Sequence, residues 1–212
     1  MLRPILDFFW ETPGAAVVPC SSATGVLQDE FIAGDDISAY NLVNTYIAAG
    51  QSWQSGSTPT EVTGACFRLK KIGSPTGTMR ASIYAHTGTY GASGIPTGSA
   101  LASSVGFDVD TITTVYENYF FALSGWTPAA TTDYFIVLEE EDWAGDGSNY
   151  VRAIRDNGAE ATHGGNSTLD SGAGWGIIAG GGDDLEFKLY GTGSAAGVAT
   201  NSNFSLSLAL NI

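Results

Sequence analysis

Residues 68–84, RLKKIGSPTGTMRASIY, decide the fold class. Ahead of the central turn, Phe67 and Leu69 point to one side while Arg68 and Lys70 point to the other. Beyond it, Met79, Ala81 and Ile83 share one face, and Arg80, Ser82 and Tyr84 share the opposite one. A period of two marks a strand with one face buried, and Gly73-Ser74-Pro75-Thr76-Gly77 supplies turn residues between the halves. The pattern predicts an antiparallel hairpin.

The same alternation recurs toward the C-terminus, at Tyr119, Phe121 and Leu123, at Tyr134, Ile136 and Leu138, and at Leu185, Phe187 and Leu189. Strands are expected near 43–54, 60–72, 78–86, 104–110, 116–123, 132–139, 149–155 and 184–190. The chain has 28 glycines among 212 residues, nearly twice the usual ~7%. That implies many turns, and no window carries a 3.6-residue apolar period. Eight short strands parted by Gly, Pro, Asn and Asp turns point to an all-β, two-sheet antiparallel sandwich of the jelly-roll type.

Three parts follow from the punctuation. Residues 1–38 read as an irregular N-terminal arm, 39–191 as the sandwich, and 192–212 as a small-residue linker with an extra C-terminal strand. The arm carries an apolar patch at Phe8, Phe9 and Trp10, suited either to a partner's groove or to the open end of its own sandwich. In the terminal strand, Phe204, Leu206, Leu208 and Leu210 share a face that must pack on its own sandwich or on a neighbouring subunit.

Twenty-two acidic against eight basic residues give a formal charge of −14. Such a surface repels nucleic acid and anionic lipid, and no apolar stretch approaches the ~18 residues of a membrane span. Asp7 and Glu11 break the apolar N-terminus, so no export signal is read there. Cys20 and Cys66 lack metal-ligand spacing; they form one disulfide or remain two small apolar thiols.

The segments AAGQSW (48–53), VTGACFRLKKIGSPTGTMRASIYA (62–85), ALAS (100–103), TTDYFIVLE (131–139) and DDLEFKLYG (183–191) resemble a family of jelly-roll domains. The family occurs in phage structural proteins and in modular bacterial surface proteins, including choice-of-anchor domains. The resemblance covers most of 44–191. It implies a display or binding module without chemistry of its own, in which related jelly rolls often bind carbohydrate and sometimes hold a structural calcium ion.

No catalytic motif interrupts the strands: G-x-S-x-G, HExxH and a phosphate loop are all absent. Trp143 beside Asp142 and Asp146, with Trp126 and Trp175 in other loops, would suit the faces and hydroxyls of a glycan; loop tryptophans also cap cores. Asp35, Asp36, Asp183 and Asp184 would suit calcium if the first and last strands are neighbours, and otherwise form solvated turns. The expected function is a non-enzymatic phage virion surface protein, a head decoration or fibre component, made in the host cytoplasm. Its partners would be other capsid or tail proteins and copies of itself, with a trimer preferred. The alternative is a carbohydrate-binding module or adhesin of a bacterial surface protein.

Overall fold

Each amphipathic strand hides its apolar face only by meeting another such face, so alternating strands stack as two layers. The computed structural model describes residues 20, 25–34, 37–43, 45–142, 145–156, 163–178 and 183–192. Thirteen strands occur among them. They run β1 (Val26–Phe31), β2 (Ile37–Leu42), β3 (Ala48–Gln54), β4 (Val62–Ile72) and β5 (Thr78–Thr87), then β6 (Ile95–Ser103), β7 (Phe107–Asp108) and β8 (Glu117–Trp126). The series closes with β9 (Asp133–Glu140), β10 (Tyr150–Asp156), β11 (Ser167–Asp170), β12 (Trp175–Ile177) and β13 (Phe187–Gly191).

One sheet contains the order β2-β10-β4-β8 and the other β3-β9-β5-β6, with every neighbouring pair antiparallel. Because most consecutive strands lie in different sheets, these eight wind as a jelly roll. The remaining strands extend it. β13 takes over from β10 along the first half of β4, and β1 pairs with β13. β11 and then β12 continue the second sheet beyond β3, while β7 pairs with the start of β5.

Between the layers, Ala65, Phe67 and Leu69 of β4 share one core with Met79, Ala81 and Ile83 of β5. Phe121 meets Phe67 edge-on at 5.8 Å and Phe107 at 5.2 Å. Each such ring or branched chain, once removed from water, stabilises the fold by ~1.5–3 kcal/mol.

The expected hairpin at 68–84 does not form. β4 and β5 are strands of opposite sheets, and 73–77 is an arch between the layers. Both edges of β4 are occupied, by β8 on one side and by β13 and β10 on the other, and β5 lies between β9 and β6. Side-by-side pairing would leave the two apolar faces needing a third layer, whereas face-to-face packing lets each cover the other. Gly73 sits at the arch with φ +67°, where a Cβ would lie 2.2 Å from the Ser148 carbonyl. Only glycine fits that approach.

Other boundaries also shift. The segment to residue 38, expected to be irregular, contributes β1 and begins β2. β6 falls where no strand was expected, because Pro96 and Gly98 interrupt its alternation and its middle is exposed, as an edge strand permits. The strand expected at 104–110 shrinks to β7 and a 3-10 turn at Val109–Thr111, where the Asp108 carboxylate accepts from the Asp110 amide. The arm patch Phe8, Phe9 and Trp10 and the terminal residues Phe204, Leu206, Leu208 and Leu210 lie outside the described residues.

Cys20 and Cys66 are joined. Cys66 faces outward from β4, since Ala65 and Phe67 take the inner face, yet it is only 2% exposed. The bridge ties residue 20 over the outer surface of that sheet.

Candidate functional site

On the second sheet the pleat sends alternate side chains outward, and the register aligns them in rows. Trp175, Asp170, Ala48, Glu139 and Arg80 occupy successive strands β12, β11, β3, β9 and β5. Four strand spacings at about 4.8 Å make this row roughly 19 Å long. The next row holds Thr168, Gly50, Val137, Ser82 and Ser103, and a third holds Ser52, Phe135 and Tyr84.

At the centre of the face, Ala48, Phe135 and Val137 form a small buried apolar patch, with Tyr84 and Trp175 packed against it. Gly50 keeps the patch thin, because a Cβ there would lie 3.2 Å from Val137 Cγ2 and 3.3 Å from Phe135 Cδ1. The two rings therefore lie on one surface although their residues are 91 positions apart in the chain.

Glu139 organises the polar half of this surface. Its Oε1 accepts from Ser82 Oγ at 2.6 Å and from Arg80 Nε at 2.9 Å, while Tyr84 donates its hydroxyl to Oε2 at 3.0 Å. Ser103 shares a hydrogen with Ser82 at 2.9 Å, and Glu141 lies 3.5 Å from the Arg80 guanidinium. Burial, then the Glu139 charge, pushes the Tyr84 hydroxyl up to about 12, so it remains a donor at neutral pH. The hydrogen bond to Glu139 holds the Arg80 guanidinium above its ordinary value. Charge-assisted bonds of this kind are short and directional. They fix a plate of donors and acceptors before any ligand arrives.

Among the tryptophans expected at a glycan site, Trp175 lies on this face. Trp126 does not: it stands edge-on to Tyr134 at 4.7 Å, beside Trp53 at 5.5 Å from the same ring, and so caps the core. Trp143 lies outside the described residues. Asp142 accepts from both the amide and the hydroxyl of Thr78, bonds that hold its carboxyl below the usual range and anchor the acidic run to β5. Asp146 accepts from the amides of Ser148 and Asn149 and so shapes the turn into β10. Arg80 and Tyr84 were visible in the sequence as outward-facing positions, but nothing local singled out either of them or Glu139.

The carboxylates expected to hold calcium are otherwise engaged. Asp183 pairs with Arg155, whose guanidinium also lies 4.8 Å from the Tyr40 ring centre. Asp184, 1% exposed, accepts from Gln51 Nε2 at 2.7 Å and from the His163 amide at 2.8 Å. Burial pushes its carboxyl up. Gln51 returns its Oε1 to the Leu185 amide at 2.9 Å, so this one side chain of β3 stitches the two sheets together. His163 accepts at Nδ1 from the Gly165 amide, which leaves Nε2 to bond Asp29 at 3.2 Å. Among the described residues no group of three or more His, Cys, Asp or Glu is arranged to hold a metal ion. Asp35 and Asp36 lie outside them.

Two adjoining pockets of about 370 and 420 Å³ open near β2, β11 and β12, sharing Tyr46, Leu169 and Ile178. Their shared walls are largely apolar, and Arg155, the one cation lining them among the described residues, is already paired. They lack the dense polar array of the Glu139 face.

No family model matches the chain, and no curated protein matches it significantly. Among solved structures, it is similar to that of the cysteine protease and lectin-like domains of Cwp84, a surface layer associated protein of Clostridium difficile. The identity is 13%, the TM-score 0.44, and the likeness takes in 76% of this chain and 37% of the other. The chain thus spans little more than a third of the structure it matches, and at that remove the likeness bears on neither activity nor ligand.

Proposed function

We propose that this chain is a non-enzymatic carbohydrate-binding module of a surface-exposed protein, and that it holds an oligosaccharide across the outer face of its second sheet. The observation that carries this reading is the Glu139 plate of Arg80, Ser82 and Ser103 beside two rings, Tyr84 and Trp175, on one surface. Sugars present hydroxyls around a ring edge and apolar C–H groups on a ring face. A fixed array of donors and acceptors meets the first, and aromatic faces meet the second. Because the polar groups are already bonded to one another, little ordering remains to oppose a weak ligand.

The Cys20–Cys66 bridge supports an oxidising setting such as a cell or particle surface. The virion reading draws on the arm and the terminal strand, whereas the glycan reading draws on described side chains. That difference makes it the stronger of the two.

A glycan array followed by affinity electrophoresis in soluble polysaccharide tests the proposal. At least one neutral polysaccharide should retard the protein. Trp175→Ala should weaken retention about tenfold or more, and Tyr84→Phe, which removes only a hydroxyl, should weaken it with little change in thermal stability. If no glycan retards the protein, or if both variants migrate with the wild type, the assignment fails.

A further inference from the structure

The outer face of the first sheet carries a different anomaly. Arg3 lies outside the described residues, and of the seven other basic side chains five sit within ion-pair distance of a carboxylate. Lys70 and Arg152 are the two that do not, among the described residues. They are also direct cross-strand partners, Arg152 on β10 opposite Lys70 on β4.

Elsewhere the register does the opposite. Lys188 faces Glu30, and Arg80 faces Glu139, each as a cross-strand pair of unlike charge. Like charges in directly opposed positions destabilise a sheet. With 22 carboxylates against 8 cations in the chain, an unrelieved cation pair stands out against the composition.

The pair lines a notch of about 330 Å³ together with Ser38, Ala39, Tyr116 and Ile154. Asn41, the cross-strand neighbour of Arg152, accepts from its Nε at 2.8 Å. That bond fixes the plane of the guanidinium and leaves its two terminal nitrogens as a fork. Lys70 Nζ lies 4.5 Å from the centre of the Tyr116 ring, with the Arg68 guanidinium carbon at 6.0 Å from the same centre. Two cations therefore stand against one ring, although Arg68 is also engaged by Glu186 at 3.6 Å.

We infer that this notch is an anion site, in which the Arg152 fork and the Lys70 ammonium receive one compact carboxylate or phosphate group. A planar fork matches two oxygens of either group, and the lysine adds a point charge beside it. Bound anion would relieve the repulsion that the register builds in. The excess negative charge elsewhere selects against extended polyanions, while a single charged group feels chiefly the cations within about one Debye length, ~8 Å at physiological salt. The site lies on the opposite sheet from the glycan platform and does not depend on it.

The test is an NMR titration of the full chain at constant ionic strength with sodium glucuronate, inorganic phosphate and methyl glucoside. Saturable shifts at residues 38, 39, 70, 116 and 152 are expected with one or both anions and none with the neutral glucoside. A response to glucuronate alone identifies a carboxylate source, and to phosphate alone a phosphate source. Arg152→Gln should weaken binding about tenfold, the loss of a charged hydrogen-bond pair. Lys70→Gln should weaken it too, while raising the melting temperature of the ligand-free protein because the like-charge pair is gone. The inference is overturned if neither anion gives saturable shifts at these residues, if the glucoside shifts them equally, or if Lys70→Gln lowers the ligand-free melting temperature.

Discussion

Replacing both Cys20 and Cys66 by serine should destabilise the sandwich by about 4 kcal/mol. The bridge spans a sequence separation of 46 residues. In the chain-entropy treatment, closing a loop of that length removes roughly 13–14 cal/mol/K from the unfolded ensemble, or about 4 kcal/mol at 25 °C. The native side has little to offset this, because Cys66 is only 2% exposed in the folded protein. At about 2–4 °C per kcal/mol for a chain of this size, the melting temperature should fall by roughly 8–16 °C. Differential scanning calorimetry of the wild type, the wild type in reductant, and the double serine variant measures it. The last two should unfold together, well below the first. A change under about 1 kcal/mol, or two titratable thiols in the native protein, would refute the reasoning.

Two further outcomes bear on the interior. Gln51→Ala should cost about 3 kcal/mol in urea denaturation, since it strips the Leu185 amide of its acceptor and Asp184 of a donor while both stay buried; a loss below about 1 kcal/mol would mean that the two sheets are not joined there. Burial pushes the Glu140 carboxyl up to about 7, and its Oε1 has no hydrogen-bond partner. A carboxyl raised on folding binds its proton more tightly in the native state, so this group adds stability as pH falls from above 7 toward 4.5. Glu140→Gln should therefore be more stable than wild type at pH 8, with the gap closing by pH 4.5. A pH-independent difference would show that the carboxyl is not desolvated.

How much of the site could be read from the chain is clear at particular residues. The outward positions Arg80, Ser82 and Tyr84 follow directly from alternation with Met79, Ala81 and Ile83. That Glu139 lies among them does not, since it requires β9 to pair with β5 in one register out of several. Trp175 was legible as an aromatic in a turn, but its place on the Ala48, Phe135 and Val137 patch depends on β11 bridging β12 to β3. Asp142 and Asp146 drew notice as charges in a loop, and the structure uses them to hold local turns. The like-charged pair Lys70 and Arg152 has no signature at all in a string where 81 residues separate them.

By itself the chain determined that the protein is built of strands, and on most of them which side chains face the core. Both follow from the pleat, a period of two that each segment carries regardless of its neighbours. Sheet membership was decided elsewhere. Residues 62–72 and 78–87 have the same pattern whether they lie side by side or face each other across the core, and the choice rests on which other strands occupy their edges. The same holds for the cysteine bridge, the Gln51 stitch and the two surface sites. Each joins residues through strand order and register, and those are settled only when all the layers compete at once to bury their apolar faces.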